Sequence, residues 1–349
     1  MQSVISARPK RVLRTQADMA GVLRVSTVTV HKALTHQSGV SKELREKVLA
    51  LASKSGYRIH AGAKAMRRGS FDCIALVQSQ FAARSVLPSS LLAGVCATAN
   101  DNERQLIVAT LADEKLTSDI AVPMILRECM SDGLLLNYSA AIPPRIAELL
   151  ARYAIPTIWL NSKHPADCVY PDDLGAGRGA TRELLKLGHR RVVYLDFSSP
   201  ASSEAIHYSC IDRLQGYSQT MRQAGLAPRR YGDEAIWDQR EMIPSLRAML
   251  REPTRPTAAV CYGIREVRGL VHAAALEGLS APKDFSVIGI SDRCEPEFDL
   301  RYSVMLLPEA EMGRQGVEML LKKISDPTTA IPARSVPCTL DLGEMIGSV

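Results

Sequence analysis

The 349-residue sequence predicts an α/β protein, with a body of two doubly wound parallel-sheet subdomains behind an N-terminal all-α helix-turn-helix domain. Three observations predict it. From Phe71 onward, short continuous apolar runs alternate with amphipathic stretches, the pattern of parallel strands covered on both faces by helices. Three short, capped helical stretches precede them between Thr15 and Gly56. The charge is also split. Residues 1–69 carry fourteen Lys or Arg against three acids (Asp18, Glu43, Glu46), a balance of +11, whereas the remainder stands at −5 within a net +6. A compact head of that charge on an acidic body is the footprint of a polyanion-binding module.

The head begins with a polar, basic arm of about a dozen residues. Thr15 is placed to cap a first helix whose apolar positions are Ala17, Met19, Ala20 and Val22. After a break at Leu23-Arg24-Val25, Ser26 caps a second helix from Thr27 to about Thr35, with Val28, Val30, Ala33 and Leu34 as its apolar contacts. Ser41 caps a third, with Leu44, Val48, Leu51 and Ala52 on its stripe and Gly56 as the left-handed stop. Two short helices joined by a tight turn with a third across them form a helix-turn-helix unit. The start of its second helix must carry polar side chains short enough to reach base edges, and Ser26, Thr27, Thr29, His31 and Lys32 fit that need. A generic three-helix bundle is the rival reading of the same pattern.

In the body the strand candidates are Cys73–Val77, Gln105–Ala109, Gly133–Leu136, Thr157–Leu160, Arg191–Leu195, Ala258–Cys261 and Ser286–Ile290. Helical stretches fall at Ser90–Asn100, Ile146–Tyr153, Gly179–Leu187, Cys210–Ala224, Ile243–Leu250 and Glu266–Glu277. Seven strands in two successive groups predict two subdomains with a cleft between them.

Several function classes are disfavoured. Gly175-Ala-Gly-Arg-Gly179 lacks the spacing of a dinucleotide loop and follows no strand directly, and neither a Walker lysine nor G-x-S-x-G is found, so no enzyme is expected. The eight cysteines form no C-x-x-C pair and the seven histidines no ligand spacing. Reduced cysteines of a cytoplasmic protein are expected, with neither metal nor cofactor. No apolar stretch has the length of a membrane span, and the basic N-terminus lacks a signal-peptide core.

The stretch Thr15-Gln-Ala-Asp-Met-Ala-Gly-Val-Leu-Arg-Val-Ser-Thr-Val-Thr-Val-His-Lys-Ala-Leu34, followed by Val40-Ser-Lys-Glu-Leu-Arg-Glu-Lys-Val48 and Gly56-Tyr57, resembles the head of lactose-repressor/galactose-repressor family regulators. The body carries that family's landmarks in order, among them Asp132-Gly-Leu-Leu, Asp172-Asp173, Leu187-Gly-His-Arg-Arg191, Arg213-Leu-Gln-Gly-Tyr217, Phe285-Ser-Val-Ile-Gly289 and Glu311-Met-Gly-Arg. The resemblance implies a dimeric transcription regulator, of repressor type, that binds a palindromic DNA operator under control of a small polar effector. Its parts would be a DNA-binding head at 11–58, a hinge at 59–69 and a periplasmic-binding-protein-like sensor at 70–349. With no heptad repeat after Gly343, a homodimer is favoured. A transport-type solute-binding protein is the rival sharing the sensor fold, but it has no use for a basic helix-turn-helix head.

Carried over position by position, Thr15, Ser26, Thr27, Val28, Thr29, His31 and Lys32 fall on the DNA-contacting part of the head. In the hinge, Lys64 and Arg67 would meet phosphates, and Met66 stands where the family's minor-groove leucine does. In the sensor, Arg213 matches a ligand-binding arginine and Trp237 a cleft aromatic, while Asn161 replaces an acidic ligand contact. Ser79 and Phe81 fall in the loop after the first strand, and Ser291 and Asp292 replace a paired Asp-Asp. Departures are informative. The turn glycine is Arg24, the usual Ser-Arg is His31-Lys32, and the sugar-binding Asn-Asp is Gly263-Ile264. An ordinary hexose effector is therefore disfavoured.

Overall fold

The computed structural model describes residues 13, 15–58, 65, 68–81, 84–117, 122–197, 206–232, 239–293 and 300–349. The chain divides into two compact units, Met1–Phe71 and Asp72–Val349.

In the first unit, α1 (Gln16–Leu23), α2 (Thr27–Leu34) and α3 (Lys42–Ser55) start where the caps predict. Thr15 Oγ1 accepts from the Asp18 amide at 3.1 Å while Asp18 Oδ2 accepts from the Thr15 amide at 2.9 Å, a reciprocal capping box. Ser26 and Ser41 accept from the amides of Thr29 and Leu44. Gly56, at φ 67°, closes α3 in the left-handed region. Met19, Ala20, Val30, Ala33, Val48 and Ala52 form the buried core. Three assignments need correction. Val22 and Val28 are 48% and 61% exposed, so neither belongs to that core, and Ala17 also faces outward. An eight-residue helix in a domain this small can bury only one narrow stripe, here carried by Met19 and Ala20 in α1 and by Val30 and Ala33 in α2.

The α1–α2 turn closes on Arg24, held at φ 55°, ψ 43°. A side chain there costs roughly 1–2 kcal/mol, since Cβ crowds the following carbonyl. Part of the relief from glycine is offset by its freer unfolded chain. Arg24→Gly is therefore expected to stabilise the head by about 1 kcal/mol, read as a higher melting midpoint of its helical signal. An unchanged or lower midpoint would show that Arg24 makes a compensating contact.

The second unit holds two six-stranded sheets. The first runs β11-β5-β4-β3-β1-β2, from β1 (Cys73–Ser79), β2 (Gln105–Leu111), β3 (Gly133–Asn137), β4 (Thr157–Leu160), β5 (Cys168–Pro171) and β11 (Arg334–Val336). The second runs β12-β10-β9-β8-β6-β7, from β6 (Val192–Leu195), β7 (Arg229–Tyr231), β8 (Ala258–Cys261), β9 (Ser286–Ser291), β10 (Ser303–Leu306) and β12 (Thr339–Asp341). Every pairing is parallel except β10 with β12.

The continuous apolar runs have a direct cause, because alternate residues feed different cores. Ile74 and Leu76 of β1 face one core and Ala75 and Val77 the other, and Val193/Leu195 against Val192/Tyr194 in β6 repeat this in the second sheet. The covering helices are α4 (Ser89–Asp101), α5 (Met124–Arg127), α6 (Pro144–Arg152), α7 (Asp173–Lys186), α8 (Tyr208–Gln223), α9 (Gln239–Leu250), α10 (Ile264–Leu276) and α11 (Glu309–Ser325). The chain passes between the sheets near Asp172, Pro308 and Pro337, so α11 and β11 return to the first sheet and β12 to the second.

Two helix pairs meet backbone to backbone. A Cβ on Gly177 of α7 would lie 2.2 Å from the Arg213 carbonyl oxygen, and one on Gly216 of α8 would lie 2.2 Å from that of Leu174. Gly94 of α4 and Gly313 of α11 meet the carbonyls of Ala310 and Leu91 in the same way. The Gly175–Gly179 stretch is thus interior to α7, where its glycines serve packing.

Candidate functional site

Two sets of residues stand out, one in each unit. In the head, Thr27, Val28, His31 and Lys32 share one side of α2, since residues three and four apart are neighbours on a helix. Val30 and Ala33 on the opposite side are fully buried. Thr27 and Val28 are exposed, His31 and Lys32 half-buried. Thr29 is turned toward the cap, with its hydroxyl 2.8 Å from that of Ser26. Arg45 of α3 holds the end of α2 by donating to the carbonyls of Gln37 at 2.6 Å and Ala33 at 3.4 Å. A guanidinium at a helix C-terminus also suits the helix dipole. An apolar Val28 outward beside threonine, imidazole and ammonium is costly in isolation and fits a surface that meets base edges and thymine methyls.

Lys64, Met66 and Arg67 of the hinge, and Trp237 of the cleft, lie outside the described residues.

In the body, Ser79, Asn161, Tyr262 and Ser291-Asp292 lie at or just past the carboxyl ends of β1, β4, β8 and β9, the edge at which open α/β sheets take ligands. Arg213 is buried. Its Nε donates to Asp173 Oδ1 at 2.6 Å, one terminal amino group donates to the Tyr262 carbonyl at 2.7 Å, and its guanidinium stacks on the Tyr262 ring at 4.6 Å. The glycine crossing of α7 and α8 puts these partners in reach, Asp173 opening α7 and Arg213 lying in the second turn of α8. Burial works against the guanidinium charge, but Asp173 and the neighbouring tyrosines outweigh it and push its pKa above the ordinary arginine value.

Asn161 sits at φ 52° and organises the start of α8. Its carbonyl faces His207 Nε2 at 3.0 Å, and its Oδ1 accepts from the Tyr208 hydroxyl at 3.2 Å. Since His207 Nδ1 accepts from the Ser209 amide as the cap of α8, the neutral ring carries its proton on Nε2. Burial lowers the His207 pKa and raises that of Tyr208, so both are neutral at pH 7. Ser291 is buried and accepts from the Arg293 amide, whereas Asp292 is partly open.

Ser79 belongs to a second network. Its hydroxyl donates to Asp113 at 2.8 Å and accepts from the Phe81 amide, and Asp113 also accepts from Tyr138 and Arg84. Phe81 is 47% exposed with the Arg84 guanidinium over its ring. Where the family has its Asn-Asp, the Gly263 amide instead donates to buried Glu266 at the start of α10.

Sequence reasoning missed Asp173, His207, Tyr208, Tyr262 and Glu309 as site residues. Glu309 opens α11, is 4% exposed, and lines a cavity of about 520 Å³ with Asp292, Leu307 and Pro337. Burial first, then the charges of Asp292 and Asp173, lift its pKa to about 7 against the pull of Arg213. The signal available was Asp172-Asp173 directly after an apolar segment, a position that opens a helix in this fold class. Among the described cysteines, Cys73, Cys168, Cys210 and Cys261 are buried as expected for core thiols, but Cys129 is exposed. Among the described residues no His, Cys, Asp and Glu group has metal-site geometry, and no helix is long and apolar enough to cross a membrane.

A family model described as a periplasmic binding protein-like domain matches residues 181–344. The ribose operon repressor of Haemophilus influenzae is 25% identical over 317 residues, covering 90% of this chain and 93% of that protein. The HTH-type transcriptional repressor CytR of Escherichia coli is 24% identical over 341 residues, 96% of this chain and 97% of its own length. A crystal structure of the Lac repressor dimer bound to operator and the anti-inducer ONPF superposes with a TM-score of 0.76 at 22% identity, covering 96% of this chain and 99% of that one. The two repressor matches and the structural match run through head and body in the same order, so the chain is similar along nearly its whole length to these repressors and has the fold of the Lac repressor, with a periplasmic-binding-protein-like second unit.

Proposed function

We propose that this protein is a cytoplasmic, sequence-specific DNA-binding transcription regulator of repressor type. As a homodimer it binds a palindromic operator through the heads, and a small polar molecule held in the sensor cleft controls that binding. The observation that carries the reading is the α2 face, where exposed Thr27 and Val28 and half-buried His31 and Lys32 lie away from buried Val30 and Ala33 on a head of charge +11. The named relatives are repressors, and the Lac repressor was solved as an operator-bound dimer. In this reading residues 11–58 are the DNA-binding domain, 59–69 the hinge and 70–349 the sensor. Thr15 and Ser26 orient helix starts toward phosphates, Thr27, Val28, Thr29, His31 and Lys32 read bases, and Lys64, Met66 and Arg67 act in the hinge. On the sensor side Arg213, Asn161, Ser291 and Asp292 contact the effector, flanked by Ser79, Phe81 and Trp237. No catalytic role is proposed for any of them.

The test is selection of duplexes from a random library, followed by titration of the winner against scrambled DNA. Affinity should fall with a log–log salt slope of about −0.9 per phosphate neutralised. Thr27→Ala and Lys32→Ala should each reduce the preference for the selected site by about 1–3 kcal/mol. Absence of duplex binding in low salt would remove the reading, and full discrimination by both variants would remove α2 as the reader.

A further inference from the structure

The cavity beside Glu309 has apolar walls built by Leu307, Val336 and Pro337, and its polar lining includes Glu309 and Asp292 together with Glu311, which is already paired with Arg314 and Gln315. The Glu309 side chain is more than nine-tenths buried, yet its carboxylate has no hydrogen bond or ion pair among the described residues. Asp292 has one long pair, 3.9 Å to exposed Arg293. Asp173 is likewise buried, with Oδ1 on Arg213 and Oδ2 without a partner among the described residues. Arg213, the guanidinium whose field reaches Glu309, is already bound to Asp173 and to the Tyr262 carbonyl. Three carboxylates thus gather at the junction of the two sheets, where Arg213 is committed to Asp173, Lys163 acts on Asp173 from beyond it, and Asp292 has only the long pair to Arg293.

A buried carboxylate without a partner is costly, and the cost is removed either by a proton or by a cation. A hydroxyl-only ligand would hydrogen-bond Glu309 without offsetting its charge, and an anion would be repelled by all three acids. We propose that the effector is an organic cation, an ammonium or amidinium group seated between Glu309 and Asp292 with its apolar body against Leu307 and Pro337. This rests on the effector-controlled reading above and narrows its ligand class. The loss of the family's Asn-Asp at Gly263-Ile264 agrees with it, since the hydroxyl-binding pair is gone where the acidic cavity has appeared.

Matched amine and alcohol probes test this on the full-length chain at pH 7.5. Putrescine is set against 1,4-butanediol, benzylamine against benzyl alcohol and glucamine against sorbitol, with D-ribose as a further neutral arm. The expected result is saturable binding of at least one amine, at least about tenfold tighter than its alcohol, with a change in operator affinity. Glu309→Gln and Asp292→Asn should each erase that preference while retaining the wild-type circular dichroism spectrum and operator binding. Amine preference absent from every pair, or unchanged in both variants, overturns the cation site. Tight binding of D-ribose or sorbitol that shifts operator affinity and ignores Glu309→Gln overturns it too, while leaving the effector-controlled regulator intact. Failure of that regulator reading has a different signature, the lack of operator binding by the unliganded chain.

Discussion

Asp173→Ala is expected to destabilise the body by about 3–5 kcal/mol, the range for breaking a buried ion pair from one side. The Asp173 side chain is fully buried and that of Arg213 is 9% exposed, and their contact is 2.6 Å. Deleting the carboxylate leaves a guanidinium that cannot shed its proton, in a place where water does not replace the lost partner. The Tyr262 carbonyl and ring remain, but a neutral acceptor and a π face do not balance a full charge. Replacing both partners, as Asp173→Leu with Arg213→Met, should recover most of the loss, because the cost lies in the orphaned charge. Urea unfolding of the ligand-free protein, followed by circular dichroism, measures all three variants. A loss under about 1 kcal/mol for Asp173→Ala would mean that the pair is hydrated or mobile in solution. No recovery in the double variant would mean that shape at the α7–α8 crossing matters more than charge.

That crossing shows what the sequence could and could not reveal. The strands Cys73–Ser79, Thr157–Leu160 and Ala258–Cys261 were legible because both faces are buried and the apolar run is unbroken. The caps Thr15, Ser26 and Ser41 and the stop at Gly56 were legible because each is a local hydrogen-bonding need met by a residue in reach. Seven strands were expected and twelve are described. β7, β11 and β12 have three residues each and exist because the chain passes a sheet edge, which no local pattern encodes. The long helix Glu309–Ser325 is not among the helices that periodicity predicts, although Glu311-Met-Gly-Arg within it carries part of the family resemblance. In the site, Arg213 was named from its resemblance alone. Its partner Asp173 lies 40 positions away and meets it only because Gly177 and Gly216 let two helices touch. Val28 was placed among apolar contacts by type and also among DNA contacts by position, and its exposure agrees with the second. Burial of Glu309 depends on three chain passages between the sheets, so composition offered no hint of it.

Glu309→Gln should remove a carboxyl titration from the pH dependence of the body's stability. The Glu309 pKa rises from 4.5 to about 7 on folding, by burial and then by Asp292 and Asp173, with Arg213 opposing. Between those values the folded chain holds a proton that the unfolded chain has released, so stability falls as pH rises. The loss begins above the unfolded value near 4.5 and is complete once pH has passed about 7. Integrated over that window the shift corresponds to about 3 kcal/mol, at 1.36 kcal/mol per unit. The buried and partly buried histidines act oppositely. His164, His189 and His207 have pKa values lowered by burial, so their contribution grows as pH rises through the imidazole range. The wild-type profile mixes both signs, whereas the difference between wild type and Glu309→Gln isolates the carboxyl. A permanently neutral amide of the same shape should match wild type at pH 4.5 and exceed it at pH 8 by up to about 3 kcal/mol. At roughly 2–4 °C per kcal/mol for a unit of this size, the melting midpoint at pH 8 should rise by several degrees. Melting curves at half-unit steps of pH, without ligand, give the difference directly. Parallel profiles for the two proteins would mean that Glu309 is hydrated or paired in solution, and that it titrates as an ordinary carboxylate.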